Sequence, residues 1–262
     1  TLIQMKGYKA QRLLIITVLC GFEDFCTNLA DFTGILQLLV SSLSDRSTVN
    51  NAVRLMCALS SHNRGSQILG DNGVLELFTQ LFLSSPSGST AVASLFILRN
   101  AAIYRRQIPQ VSIIVSCLMQ DMIYQKSNKV AILETLVALI QTSPSSVQEH
   151  DLQRIVMQQF ALDKPIVVLL SLRLLAACDV DALRNIYPQI LVTVYGVLNK
   201  PNLLFAEIIQ EVLVIVAKIA ERYKISEFLE KMEFKRFMNE IIDLMPDDCS
   251  RVETFKNLIQ SI

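Results

Sequence analysis

Two histidines, six cysteines and a few clustered charges are the side chains of this sequence that could do chemistry. His62 lies in the polar turn Ser-Ser-His-Asn-Arg-Gly and His150 in Ser-Val-Gln-Glu-His-Asp-Leu. Neither has a second histidine or a cysteine at a spacing that one helix or turn could bring to a shared metal ion. Both therefore read as solvated turn residues. Cys20 and Cys26, with Glu23 and Asp24 between them, form the one close cysteine pair, and five intervening residues suit neither a zinc site nor a redox dithiol. The acidic group Asp243, Asp247 and Asp248 beside Pro246 lacks the alternating oxygen ligands and the glycine of a calcium loop. There is no glycine-rich phosphate cradle and no Gly-x-Ser-x-Gly elbow. The expectation is a non-enzymatic chain with no catalytic residue, no cofactor, no metal and no small-molecule substrate.

Basic residues are densest at Arg105-Arg106 and at Lys231, Lys235 and Arg236, where Glu227, Glu230, Glu233 and Glu240 intersperse them. Acid and base alternating at helical offsets stabilise an exposed helix, which argues against a nucleic-acid groove. Lysine plus arginine and aspartate plus glutamate both total 24, so no net field attracts a polyanion or an anionic membrane. A nucleic-acid-associated helical repeat using Arg105, Arg106, Lys235 and Arg236 is the alternative from a different class.

What positions these residues is a chain that is 52% hydrophobic and 18% charged, with few glycines and prolines and no tryptophan. That composition favours packed helices over disorder or a strand-and-turn architecture. The most apolar run, Pro165 to Cys178, carries Arg173 and falls short of the roughly 20 residues that span a bilayer, so it reads as a buried helix. The six cysteines, Cys20, Cys26, Cys57, Cys117, Cys178 and Cys249, are mostly far apart and inside apolar stretches. They read as reduced core side chains, which implies an intracellular compartment.

Self-similarity organises the rest. An apolar helix recurs with anchors at Leu19, Leu59, Ala101, Leu139, Leu175 and Ile219, at spacings of 40, 42, 38, 36 and 44 residues. After each comes a polar break and a second amphipathic helix, expected over Gly34–Leu43, Val74–Leu83, Val111–Gln120, Leu152–Leu162, Tyr187–Leu198 and Phe234–Met245. The stretch Ala91–Gln120 illustrates the unit as two helices folded back to back, with Leu95, Leu98, Ala102 and Ile103 on one buried face and Val111, Ile114, Val115 and Leu118 on the other. Pro165 and Pro201 fall where helices begin, where the missing amide hydrogen costs little. About six units of this length suit a stacked array in which each contacts its neighbours.

The second unit, Ala58 to Phe82, resembles the armadillo pattern: a helix ending in a small-polar run, a short helix, and a glycine turn matched by Gly70 and Gly73. Leu98-Arg99-Asn100-Ala101-Ala102 resembles the Leu-x-Asn-Leu-Ala run of that family. The fourth and fifth units lack the glycine turn and resemble HEAT pairs. The resemblance implies an all-α fold, a right-handed α-solenoid of about six armadillo/HEAT-like helical repeats with a C-terminal capping helix, in one domain over residues 1–262. It also implies a protein or peptide partner. The tryptophan-and-asparagine ladder by which import-receptor armadillo proteins grip basic peptides is missing, since the chain has no tryptophan.

Stacked helical pairs curve, and the second helices are expected to line up as an inner, concave face. Its exposed positions are Gln37, Glu76, Gln80, Ser112, Ser116, Gln153, Gln189, Thr193 and Asn239. These neutral amides and hydroxyls suit an extended peptide or a partner helix. Residues Lys200–Ile262 hold 20 of the 48 charged side chains and end in the amphipathic stretch Val252–Ile262, as a solenoid cap should. At the other end Leu13, Leu14, Ile15 and Ile16 are apolar on nearly every side, which leads us to expect a C-terminal fragment of a longer protein, or self-association through the N-terminal end. Ala217–Ile262, with Tyr223-Lys224 and Phe234-Lys235-Arg236, is similar to the C-terminal armadillo end of rotatin-type centriole and cilium proteins. That resemblance implies a centrosomal scaffold role, and a cytoplasmic or nuclear location is expected.

Overall fold

The computed structural model describes residues 9–30, 34–86, 90–124, 129–147, 152, 164–243, 256, 257 and 259, with backbone alone for 30 and 121–124. Among the described residues are fourteen α-helices, three short 3-10 turns and no strand. The chain forms two compact units, Thr1–Cys117 and Leu118–Ile262. The first holds α1 (Lys9–Leu19), α2 (Glu23–Ala30), α3 (Gly34–Leu43), α4 (Val49–Ser60), α5 (Asn63–Asp71), α6 (Val74–Ser84) and α7 (Ala91–Ile103). α8 (Val111–Tyr124) carries the boundary. The second holds α9 (Lys129–Thr142), α10 (Pro165–Ala177), α11 (Tyr187–Leu198), α12 (Ala206–Arg222), α13 (Ser226–Lys231) and α14 (Phe234–Asp243). The expected second helices are therefore present, within a few residues at their ends, as α3, α6, α8, α11 and α14. The one expected over Leu152–Leu162 lies outside the described residues apart from Leu152, which is helical and buried.

Packing corrects the phase of the repeat. In the first unit α1, α4 and α7 lie side by side as a row, and α3 packs on α4 and α6 on α7. In the second unit α9, α10 and α12 form such a row, with α11 against α12 and α13 against α14. The second helices α3, α6 and α11 thus pack on the first helix that follows each, so α6 and not α8 is the close partner of α7. A repeat's period is the same for either pairing, which is why the spacing of apolar residues does not separate them. The row of first helices, rather than the second helices, supplies the close side-by-side packing.

The core follows the helical period. Leu13 and Ile16 of α1, Leu55, Met56 and Leu59 of α4, and Leu95, Leu98, Ala101 and Ala102 of α7 are buried. Ile103, expected among them, is 53% exposed because it stands seven residues beyond Phe96 and shares that residue's outer face. Hydroxyls enter this core by bonding to the preceding turn. Ser42 donates to the Leu38 carbonyl at 2.5 Å, Thr135 to Ala131 at 2.7 Å and Ser171 to Val167 at 2.8 Å.

Successive repeats are also tied through helix ends, whose last carbonyls lack intrahelical donors. His62 Nε2 donates to the Cys20 carbonyl just beyond α1 at 2.8 Å, and Tyr104 Oη donates to the Ser61 carbonyl just beyond α4 at 2.6 Å. In the second unit Lys218 Nζ donates to the Ala176 carbonyl at 2.9 Å and to that of Cys178, closing the end of α10, while Tyr223 Oη donates to the Val180 carbonyl at 3.1 Å. His62 is therefore not a solvated turn residue: its ring is half-buried and joins one repeat to the one before it.

Two glycines do different work. Gly73, with φ of 72°, sits immediately before α6, and the same left-handed backbone precedes α8 at Gln110 (φ 54°) and α14 at Glu233 (φ 48°). The armadillo-like turn is thus kept in three places but carried by glycine in one, and Gly70 belongs to the helix before it. Gly65 serves a close approach, since a Cβ there would stand 2.2 Å from the Leu59 carbonyl oxygen. We expect Gly65→Ala to lower unfolding free energy by about 3 kcal/mol or to abolish folding, because backbone must move. Gly73→Ala, which meets open space, should cost only the left-handed penalty of about 1 to 2 kcal/mol. Urea titrations check this ordering, and equal losses at the two positions would contradict it.

Candidate functional site

Of the nine positions expected on an inner face, Gln37, Glu76, Gln80, Ser112, Gln189 and Asn239 are exposed, Ser116 and Thr193 are half-buried, and Gln153 lies outside the described residues. Gln37 is on α3, Glu76 and Gln80 on α6, Ser112 and Ser116 on α8, Gln189 and Thr193 on α11 and Asn239 on α14. Several spend their polar groups locally: Gln80 Nε2 donates to Glu76 Oε1 at 3.3 Å and Thr193 Oγ1 donates to the Gln189 carbonyl at 2.7 Å.

The row of first helices carries a second outward stripe, which sequence reasoning passed over. With the anchors Leu59 and Ala101 aligned, Asn50 and Arg54 of α4 match Val92 and Phe96 of α7. All four are exposed, Val92 by 52% and Phe96 by 40%. An i, i+4 pair on each of two adjacent helices makes one continuous surface on which apolar and cationic or amide groups lie together. Its signal was available, because Val92 and Phe96 interrupt an otherwise regular buried pattern.

Asn100, from the Leu-x-Asn-Leu-Ala-like run, turns inward. It is 8% exposed, and its Nδ2 donates to Ser60 Oγ at 2.9 Å, which donates on to the Cys57 carbonyl at 2.7 Å. It joins α7 to α4 and is not presented to a ligand. The basic groups are also engaged. Arg106 donates to the Asn63 carbonyl at 2.9 Å and to its side-chain oxygen, while Arg236 is paired with Glu233 at 3.2 Å and Glu240 at 3.1 Å.

No disulfide links the described cysteines, and Cys20, Cys26 and Cys178 are buried. Hydrogen bonding to Cys26, then burial, holds the Cys20 thiol far above its usual range. Burial pushes Cys57 up to about 11. Burial likewise pushes Cys178 up to about 12, against the pull of Lys218, and its Sγ donates to the Leu174 carbonyl at 3.1 Å. Among the described residues no group of three histidine, cysteine or acidic side chains could hold a metal ion; Asp247, Asp248 and His150 lie outside them. An open hollow of about 380 Å³ at α13 and α14 is lined by Ser226, Leu229, Glu230, Phe234 and Arg236 among others.

No protein-family model matches the sequence, and no curated protein matches it. The C-terminal resemblance to rotatin-type proteins therefore gains nothing from these comparisons. Solved structures do match. An engineered protein of known crystal structure superposes with a TM-score of 0.71 at 16% identity, over 98% of this chain and 65% of its own. This chain thus spans about two thirds of that protein's length. A designed armadillo repeat protein superposes with a TM-score of 0.63 at 13% identity, over 83% of this chain and 97% of its own. At these identities the likeness is one of fold.

Two measurements follow from the interior of the site. Replacing Asn100 by alanine should cost about 1 to 3 kcal/mol by leaving a buried hydroxyl short of a partner. Ser60→Ala with Asn100→Ala should cost clearly less than the two separate losses, and additive losses in denaturant titrations would refute the pairing. The raised thiols stabilise the fold fully below the pH at which unfolded cysteine ionises. That contribution should fall as pH rises from about 9 through about 11 to 12, because the unfolded chain then releases protons that the folded one keeps. Cys178→Ser should flatten this alkaline decline, read as denaturation midpoint against pH.

Proposed function

We propose that this chain, whose fold is an armadillo-like helical repeat, is a protein-binding scaffold without catalysis of its own. It takes an extended peptide or a partner helix along the outward stripe of the first-helix row. The observation that carries this is the stripe of Asn50, Arg54, Val92 and Phe96, exposed at matching positions of two packed helices. An aromatic ring beside a guanidinium is the kind of pair that anchors an interface, and the amide of Asn50 can bond to a peptide backbone.

The second-helix set of Gln37, Glu76, Gln80, Ser112, Ser116, Gln189, Thr193 and Asn239 is the competing surface, with Gln153 as its ninth member. It offers hydrogen bonds, with Val40 exposed three residues beyond Gln37 and Val192 three beyond Gln189. A nucleic-acid role draws little from Arg106 and Arg236, whose guanidinium groups already have protein partners. Phosphate binding would in any case announce itself as steep salt dependence. The centriole or cilium reading rests on the C-terminal residues alone.

Selection from a random peptide display library separates these surfaces. We expect binders whose capture falls at least tenfold in the double variant Arg54→Glu with Phe96→Glu and is kept in Gln80→Glu with Gln189→Glu. The reverse pattern, or a library that yields no binder, would reject the stripe.

A further inference from the structure

The row helices of the first unit carry cations and no anion. α1 holds Lys9 and Arg12, α4 holds Arg54 and α7 holds Arg99, and none of the three has an aspartate or a glutamate. Lys9 donates to the Ser41 carbonyl at 3.0 Å, and Arg12 and Arg99 are half-buried and engaged by the protein. Arg54 differs. It is exposed, and among the described residues nothing bonds to it or pairs with it. Of the helices packed on α4, which are α1, α3, α5 and α7, only α5 carries a carboxylate, Asp71 at its last position. In the second unit the row supplies its own acids, and Arg173 of α10 is answered by Glu211 of α12 at 3.2 Å. The row around Arg54 has no such answer.

We propose, resting on the stripe as the binding surface, that its partner is an acidic extended peptide, with a carboxylate seated on Arg54 and an apolar side chain three residues away against Phe96 and Val92. The planar fork of a guanidinium takes both oxygens of a carboxylate at once, which fixes the position of the acid. Neighbouring row helices stand roughly 8 to 10 Å apart, and three residues of extended chain at about 3.3 Å each cover that distance. Both contacts are needed. An exposed ion pair alone changes affinity by about fivefold at most, so the apolar anchors, 40% exposed at Phe96 and 52% at Val92, must supply the rest. Asn50, one turn before Arg54 on α4, offers its amide to a peptide backbone, which an extended chain leaves free and a helix does not. A nucleic acid fits less well, because polyanion binding draws on several uncommitted cations and the stripe presents one.

Selection of twelve-residue peptides from a random display library, sequenced in parallel for the unaltered chain and for Arg54→Gln, tests the carboxylate separately from the stripe. Peptides whose capture needs Arg54 and Phe96 should be enriched in aspartate or glutamate three residues from phenylalanine, leucine, isoleucine or valine. Selection on Arg54→Gln should lose the acid and keep the apolar residue. For a synthetic peptide of the commonest selected sequence, read by fluorescence anisotropy, exchanging the acid for its amide should weaken binding about threefold to fivefold on the unaltered chain and leave it unchanged on Arg54→Gln. Lysine in place of the acid should be tolerated by Arg54→Glu and rejected by the unaltered chain. Stripe-dependent peptides with no preference for an acid, or an amide exchange that costs as much on Arg54→Gln, would overturn the carboxylate and leave the stripe standing. Peptides indifferent to Arg54→Glu with Phe96→Glu, or no peptides at all, would reject the stripe and the carboxylate with it. Displacement of the peptide by a twelve-nucleotide oligothymidylate at about 150 mM salt would assign Arg54 to phosphate and also overturn the proposal.

Discussion

A helix ends in carbonyl oxygens with no donor left in their own turn, and here the end of one first helix is served from the repeat that follows. Cys20 is answered by His62, Ser61 by Tyr104, and Ala176 with Cys178 by Lys218. The donors differ in chemistry, but each lies about one repeat further along the chain. Apolar contacts between row helices would tolerate some sliding, since dispersion and burial have no direction. A donor of fixed length aimed at one carbonyl does not. Stacking register is therefore set at the helix ends and stability in the middle of the helices. The end of α7 is closed by its own chain instead, with the amides of Arg105 and Arg106 donating to Ala102 and Ala101 and Arg105 in the left-handed region.

Holding repeats this closely restricts which residues can stand between them. Ala52, Ala101 and Ala102 are buried among leucines, and Gly65 leaves room for the Leu59 carbonyl where any side chain would collide. The buried polar pair Asn100 and Ser60 obeys the same rule, because each satisfies the other and the chain of bonds ends on a backbone carbonyl. Where bulk is affordable, aromatic rings fill the gap. Tyr187 stacks on Tyr223 with centroids 4.9 Å apart, and Tyr195 tilts against Phe237 at 5.1 Å.

How much of this was legible without coordinates depends on the physics behind each feature. The period and the second helices were readable because burial writes itself into apolar spacing, and Gly34–Leu43 and Tyr187–Leu198 are helices with the expected bounds. The phase was not, since α7 presents apolar residues to α6 and to the row alike, and no local rule tells one face from the other. The left-handed residues before α8 and α14 were missed for a related reason. Glycine advertises a left-handed residue, but Gln110 and Glu233 adopt that conformation under the constraint of the helices around them. His62 was misplaced because its partner is about forty residues away, and a polar residue in a turn looks the same whether it faces water or a neighbouring repeat.

Cross-repeat bonding also decides what kind of recognition such a molecule can perform. Once the donors near helix ends are committed to the next repeat, the side chains left to a partner are those in the middle of each helix on the side away from the core. On α4 and α7 these recur at the repeat spacing as Asn50 with Arg54 and Val92 with Phe96. If the stripe takes a partner as proposed, its affinity comes from a few anchors laid out in a line. A ligand complementary to it is itself extended and periodic, with contacts spaced by the distance between row helices of roughly 8 to 10 Å. That spacing is close to three residues of an extended chain, at about 3.3 Å per residue, or to two turns of a helix lying across the row, at 5.4 Å per turn. The repeat that builds the fold thereby sets the ruler against which a partner is measured.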